Sequence, residues 1–228
     1  METYKIILDE EKINNFISDF LPDLEHNETF YVTLFARKKY CSGILVDKCQ
    51  LKIFTSNKES LLNKIRQLEI PIGRYYQKNQ IPVPQESLAI YLTPNPRDFI
   101  KAIKQRAKRF SDLMTQEYNG YNPHQLVLNE LQTACGNKYF LAFNFDNVDI
   151  NSTLLKINEF LHEKYYSVLK TRGCFHILVH INKIKQDGIK TNWYQKISNL
   201  EGCDVIGENI LLPIPGCHQG GFIPHFIK

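Results

Sequence analysis

Asn144 and Asp146 are two oxygen-bearing side chains that stand two positions apart at the end of a hydrophobic, aromatic run starting at Tyr139. The run predicts a buried β-strand, and side chains two apart on a strand point to the same face of the sheet. Two oxygen donors side by side at a strand end can hold a hard divalent cation such as Mg²⁺ or Mn²⁺. The alternative is that residues 146–149 only form a turn that closes the strand.

A second polar stretch runs from Lys170 to His176 and predicts a turn at Arg172 and Gly173 before a strand that carries His176. Backbone N–H groups of the turn, the forked guanidinium of Arg172 and a ring N–H of His176 would together form a phosphate-binding corner. The alternative is a histidine that is hydrogen-bonded on the surface of the sheet.

The third stretch begins at Asp204, directly after Gly202 and Cys203, and continues through a hydrophobic run to a glycine-rich loop at residues 215–221. Such a loop lets the backbone approach a ligand closely. Glycine-rich loops also close ordinary hairpins, so this stretch indicates a site only together with the other two.

Taken in this order, the three stretches resemble the catalytic core of the archaeo-eukaryotic primase superfamily, the primase-polymerase group. The first motif of that group is similar to Asn144-Phe145-Asp146 and the second to the segment from Thr171 to His176. The third is similar to Asp204 with the run at residues 211–216. The resemblance covers about residues 140–228.

The order of the predicted helices and strands indicates an α+β fold with a mixed sheet, in two lobes of one compact unit. Together with the resemblance, it predicts a single primase-polymerase-like domain over residues 1–228. An N-terminal α/β lobe (1–115) would precede an RRM-like catalytic lobe (116–228).

The function implied by the resemblance is template-directed nucleotidyl transfer, in which a primer is made or extended on a single-stranded DNA (or RNA) template from nucleoside triphosphates. The implied cofactor is Mg²⁺ or Mn²⁺, held by Asp146, Asp204 and Asn144, which together with His176 form the catalytic set. Nucleotide binding would fall to Thr171, Arg172, Gly173, His176 and Lys170. Because the chain has no Walker A pattern, unwinding would need a separate helicase or replication initiator.

One position departs from the family pattern, since Asn144 stands where an acidic residue is expected. A neutral amide offers a metal one carbonyl oxygen and no charge, so affinity for the cation should fall. Three explanations are open: an engineered Asp-to-Asn variant, a family branch that works with Asn144, or a protein that lost synthesis and kept nucleic-acid binding. Cys174 also stands where a second glycine would be expected. A further alternative is a metal-independent RNA endonuclease on an RRM-like scaffold, with His176 as general acid or base.

Basic residues form two groups that predict contacts with nucleic acid. Arg37 and Lys38 lie at a predicted strand exit, and Lys104, Lys108 and Arg109 lie on the outer face of a predicted helix. Lysine and arginine gain affinity by neutralising phosphates, although a basic helix face is as often simply solvated. The charge balance, 28 basic against 24 acidic residues, permits a polyanionic partner without demanding one.

Hydrophobic periodicity and turn residues predict the elements that must position these side chains. Helices are predicted at 9–20, 60–68, 98–114, 126–131, 153–162 and 193–200, and strands at 30–36, 51–54, 87–92, 139–146, 165–169 and 175–181, followed by a strand, a tight loop and a strand at 210–228. In the helix at 98–114, the predicted buried side consists of Phe99, Ile100, Ile103 and Ala107.

Composition describes a globular protein, with 43% hydrophobic and 12% aromatic residues. No apolar stretch reaches the roughly 18 residues that span a bilayer, and the N-terminus lacks the features of a signal peptide. The six cysteines include no Cys-x-x-Cys pair, as expected for reduced thiols. We therefore expect a cytoplasmic protein with no membrane partner.

Overall fold

In a computed structural model of the chain, residues 2–114, 122–190 and 192–227 are described, with the backbone alone at 79, 108–110, 112–114 and 123. The strands are β1 (Glu28–Arg37), β2 (Lys48–Ser56), β3 (Leu88–Leu92), β4 (Arg97–Asp98), β5 (Phe140–Asp146), β6 (Tyr166–Thr171), β7 (Cys174–His180), β8 (Cys203–Gly207), β9 (Leu212–Pro213) and β10 (His225–Phe226). The helices are α1 (Glu10–Asn15, continued by a π-helical turn at Phe16–Phe20), α2 (Lys58–Arg66), α3 (Phe99–Met114), α4 (Pro123–Thr133), α5 (Ile150–Asn158), α6 (Ile181–Gln186) and α7 (Trp193–Ser198).

The strands form two five-stranded sheets. The first has the order β2-β1-β3-β9, with β4 paired to β1, and the second has the order β10-β6-β7-β5-β8. The predicted α+β class is confirmed, but the mixed sheet is not, because every pairing among these described strands is antiparallel. Of the helices in the described ranges, none is long and apolar enough to cross a lipid bilayer.

The first sheet has one apolar face and one mixed face, because side chains alternate along β1. Phe30, Val32, Leu34 and Ala36 enter a core that also contains residues of α1 and α2. The intervening positions place Phe35 and Arg37, among others, on the opposite face. That face looks toward the end of β8 and the segment after it, since Phe35 and Arg37 line one cavity with Ile206, Asn209, Ile210 and Leu211.

The second sheet changes character along one of its faces. Its first face is apolar throughout, with Phe143, Phe145 and Ile177 packed on helices α5 to α7. On the second face, Ala142 and Leu178 pack in an apolar cluster. Asn144, two residues after Ala142 on β5, and His176, two residues before Leu178 on β7, lie on this same face and are polar. One sheet face therefore provides both core and a polar patch.

Asn95 joins the two sheets from the loop after β3. Its side chain is fully buried. The Nδ2 atom donates to the carbonyls of Phe140 (2.8 Å) and Glu208 (2.9 Å). The Oδ1 atom accepts from the backbone N–H groups of Tyr139 (3.0 Å) and Phe140 (2.9 Å). These four hydrogen bonds hold the start of β5 and the segment after β8 against the first sheet.

The buried side predicted for α3 is wrong in part. Ile100 and Ile103 are 47% and 50% exposed, whereas Ala102 and Arg106 are buried. The reason is the packing of α4 on this helix: Arg106 Nη1 lies 2.7 Å from the Glu130 carboxylate. Pairing with that carboxylate compensates the burial of the guanidinium, so a charged side chain takes a position that periodicity assigns to the outside.

Replacing Asn95 by alanine should destabilise the protein strongly, because the substitution leaves buried peptide groups of residues 139, 140 and 208 without their partners. We expect the free energy of unfolding to fall by about 3 kcal/mol, since a single buried group left unpaired costs about 1–3 kcal/mol. Urea unfolding measures the change. The control is Asn151→Ala at an exposed position of α5, and equal stability of the two variants would contradict the role of Asn95.

Candidate functional site

The register of the second sheet brings the three polar stretches together. Asn144 on β5 is the partner of His176 on β7 and, on its other side, of Asp204 on β8. Cross-strand partners point to the same face of a sheet. Asn144, His176 and Asp204 therefore form one row across three adjacent strands.

A second row lies next to the first, toward the end of β5. Asp146 is the partner of Cys174, which in turn pairs with Thr171 on β6. Asn144 Nδ2 donates to Asp146 Oδ2 at 2.8 Å and so links the two rows. Thr171 Oγ1 lies 2.7 Å from Cys174 Sγ, and burial raises the pKa of this thiol.

Two buried polar atoms in the rows have no hydrogen-bond partner among the described residues: Asn144 Oδ1 and His176 Nδ1. Buried polar atoms are nearly always paired in folded proteins, so such exceptions call for an explanation. His176 is 8% exposed, and burial lowers its pKa to about 4 although Asp146 acts in the opposite direction. The imidazole is therefore neutral at pH 7, with one ring nitrogen as donor and one as acceptor.

Cations from the first sheet border this patch. Lys39 follows the end of β1. Its pKa is lowered, mainly by partial burial and also by the charge of Arg37, while Cys174 and Asp146 act in the opposite direction. The Lys39 ammonium is thus within electrostatic range of the Asp146 carboxylate. The patch thus has carboxylates on the second sheet and cations at the exit of β1.

Tyr40 is the junction between the β1–β2 turn and the β6–β7 hairpin. Its ring centroid lies 5.1 Å from Lys39 Nζ and 4.9 Å from the guanidinium carbon of Arg172. Its hydroxyl accepts a hydrogen bond from Gln219 Nε2 at 3.0 Å, while Gln219 Oε1 accepts from the Arg172 backbone N–H at 2.9 Å. Gly220 fits here because a Cβ at this position would collide with both the Tyr40 ring and Arg172 Nη1.

The predicted nucleotide-binding residues do not all share this face. Gly173 forms the hairpin turn with φ of 87°, and Arg172 donates from Nη1 to the Gly220 carbonyl. Lys170 is the partner of Phe175, so it lies on the opposite face of the sheet from His176. The register thus separates Lys170 from His176, and the predicted contact of Lys170 with a nucleotide stays a prediction.

The predicted nucleic-acid contacts are dispersed. Arg37 lies beside Lys39, whereas Lys38 is exposed in the turn after β1 and Lys104 is exposed on α3. The side chains of Lys108 and Arg109 lie outside the described part of the chain.

Lys39, Tyr40 and Tyr91 carry contacts at the site that sequence patterns do not assign to it. Tyr91 OH accepts from Arg37 Nη1 at 3.3 Å and lies 3.4 Å from Tyr40 OH. The basic run from Arg37 to Tyr40 was a sequence signal for an anion-binding surface, but only the tertiary fold shows that this run faces the second sheet.

The turn proposed as an alternative for residues 146–149 also exists. Asn147 adopts a φ of 58°, and the Asp149 carboxylate accepts from the Ser152 N–H at 2.8 Å as the N-cap of α5. The turn lies beyond Asp146 and leaves its carboxylate exposed. The two interpretations of this stretch are therefore compatible.

The oxygen donors offer a limited set for a cation. No three His, Cys, Asp or Glu side chains in the described ranges are grouped to hold a metal ion. The two rows together contain two exposed carboxylates, Asp146 and Asp204, and the unpartnered Asn144 Oδ1. Carboxylate and amide oxygens suit a hard cation such as Mg²⁺, with one charge fewer than a site built on three carboxylates.

The chain matches no protein-family model, no curated protein and no solved structure.

The lowered pKa of His176 predicts a pH-dependent stability. Between pH 6.5 and pH 4 the unfolded chain binds a proton that the folded protein does not, so stability falls as the pH falls through this window. In His176→Gln the slope should be shallower by up to about 1.4 kcal/mol per pH unit. Urea unfolding at several pH values measures this difference. His26→Gln, at an exposed position, is the control, and identical slopes for wild type and His176→Gln would rule out the effect.

Proposed function

We propose that the chain is a primase-polymerase-type nucleotidyltransferase that makes or extends a primer on a single-stranded DNA (or RNA) template. The observation that carries the proposal is the row of Asn144, His176 and Asp204, joined by Asp146 and bordered by cations. Three stretches distant in sequence converge there, on one face of one sheet. The primase-like two-lobed architecture is part of the same proposal.

The triphosphate of the incoming nucleotide would bind on the cationic side of the patch. Lys39 and Arg172 flank the Tyr40 ring and supply charge. The guanidinium of Arg172 keeps further N–H donors besides the one bound to the Gly220 carbonyl. The neutral His176 would add a ring N–H for a phosphate oxygen, which gives its unpartnered Nδ1 a function.

Mg²⁺ or Mn²⁺ would be held by Asp146, Asp204 and Asn144 Oδ1. Such a cation neutralises charge on the attacking and leaving oxygens of an in-line displacement. The chain's own contribution is orientation: the Asn144 amide donates to Asp146 and fixes the direction of that carboxylate. Strand opening would be the task of a separate helicase or replication initiator.

A second candidate function is nucleic-acid binding without synthesis. It is favoured by the same Asn144–Asp146 hydrogen bond, because an amide that donates to a carboxylate reduces the charge available to a cation. An RNA endonuclease is less well supported, since a histidine with a pKa of about 4 is a weak general base at neutral pH.

The test compares the wild-type chain with Asn144→Asp and Asp146→Ala on a single-stranded template, with labelled nucleotides and Mg²⁺ or Mn²⁺. We expect a metal-dependent product that Asp146→Ala abolishes. Asn144→Asp should lower the cation concentration for half-maximal activity roughly ten- to hundredfold, as for other changes in groups that support a metal. Product length on a denaturing gel is the readout.

Glu201→Gln is the matched control, because Glu201 is an exposed acidic residue in the turn before β8. It should leave the product unchanged. Thermal unfolding shows whether each variant is folded. If folded wild-type and Asn144→Asp proteins bind single strands and make no product, the synthetic function is refuted and the binding function takes its place.

A further inference from the structure

A cavity of about 300 Å³ lies between the mixed face of the first sheet and the segment around β8. Phe35, Arg37, Lys48 and Tyr91 line it from the first sheet, and Ile206 and Asn209 line it from the other side. Its size is at the lower end of the range for ligand pockets. None of the residues proposed as metal ligands lines it.

The cavity adjoins the candidate site. Arg37 lines the cavity and is close enough to Lys39 to lower its pKa. Ile206 stands two positions after Asp204 on β8, the last strand of the second sheet. An extended ligand that passes along β8 would therefore reach both the cavity and the row of Asn144 and Asp204.

The lining combines aromatic and aliphatic surface with positive charge. The rings of Phe35 and Tyr91 are 5.8 Å apart and nearly perpendicular, at 67°, and Ile206 adds an aliphatic surface. Arg37 and Lys48 supply the charge, and the lining residues within the described ranges include no carboxylate. Aromatic surface beside cations is the combination that proteins use to bind single-stranded nucleic acid.

Arg37 has only weak partners for its hydrogen-bond donors: Nη1 donates to Tyr91 OH at 3.3 Å. Its side chain is 12% exposed, and Nη2 lies 3.9 Å from the Asp47 carboxylate, whose side chain is 70% exposed. A pair at this distance, exposed on one side, contributes little. The buried Nε has no partner among the described residues. A phosphate oxygen in the cavity would give the guanidinium a closer charged acceptor than Asp47.

We propose that this cavity seats one nucleotide of a single-stranded nucleic acid, with its base against Phe35 and its phosphate on Arg37 and Lys48. The inference rests on the proposed function, because the strand would be the template that enters the site along β8. A single-stranded nucleic acid fits better than a free nucleotide because β8, at the edge of its sheet, borders both the cavity and the candidate site.

The first experiment measures binding of fluorescein-labelled oligo(dT) by anisotropy, in chelator and without triphosphate. Phe35→Leu should weaken binding at least about fivefold, because a stacked base contributes about 1–3 kcal/mol. Lys48→Ala should reduce the salt dependence, lowering the slope of log K against log salt by about 0.7, the value for one phosphate contact on a single strand.

Lys52→Ala is the matched control, since Lys52 is an exposed lysine on the same strand as Lys48 and does not line the cavity. It should change neither affinity nor slope. Thermal unfolding confirms that Phe35→Leu is folded. The inference is overturned if Phe35→Leu and Lys48→Ala both bind as the wild type does, or if Lys52→Ala has the same effect as Lys48→Ala.

The second experiment locates the strand directly by photocrosslinking an oligonucleotide that contains 5-iododeoxyuridine and sequencing the attached peptide. We expect attachment at Phe35 or Tyr91, unaffected by free nucleoside triphosphate. Attachment elsewhere contradicts the inference. Loss of attachment when triphosphate is added also contradicts it and identifies a free-nucleotide site.

The same experiment separates the inference from the proposed function. Attachment in the cavity without any synthesis refutes only the proposed function, and synthesis with attachment elsewhere refutes only this inference.

Discussion

The pairing of β5 with a strand on each side is the constraint on which the candidate site depends. Phe143 and Phe145 are fully buried against helices on one face, and this burial determines which face Asn144 must take. A shift of one residue in the register would exchange the two faces along the whole strand. The polar row is thus a consequence of apolar packing on the far side of the same strand.

Contacts between the two sheets decide what the polar row can do. Asn95 fixes the start of β5 against the first sheet, and Gln219 joins Tyr40 to the backbone of Arg172. With both ends of the sheet interface held, the cations after β1 stay near the carboxylates of the second sheet. Lys39 is thereby kept within electrostatic range of Asp146.

Local patterns predicted most helices and strands, but long-range pairings lay beyond them. The strand at residues 139–146 follows from its continuous apolar, aromatic run, and the polar residues at its end can be read directly from the sequence. The position of Lys170 on the sheet face opposite His176 follows only from the register of β6 with β7. The burial of Arg106 depends on Glu130 in another helix, and β8 is short and begins with polar residues, so periodicity had little signal there.

The pairing of β9 with β3 has a consequence for the order of folding. The first sheet takes four strands from residues 28–98 and one from residues 212–213. Nearby, the backbone of His218 donates to the Ile6 carbonyl and that of Gly220 to the Leu88 carbonyl. During synthesis on the ribosome, the first sheet would wait with an open edge until these late residues emerge. Pairings of such high sequence separation slow folding, and both halves of the chain would reach their final packing together.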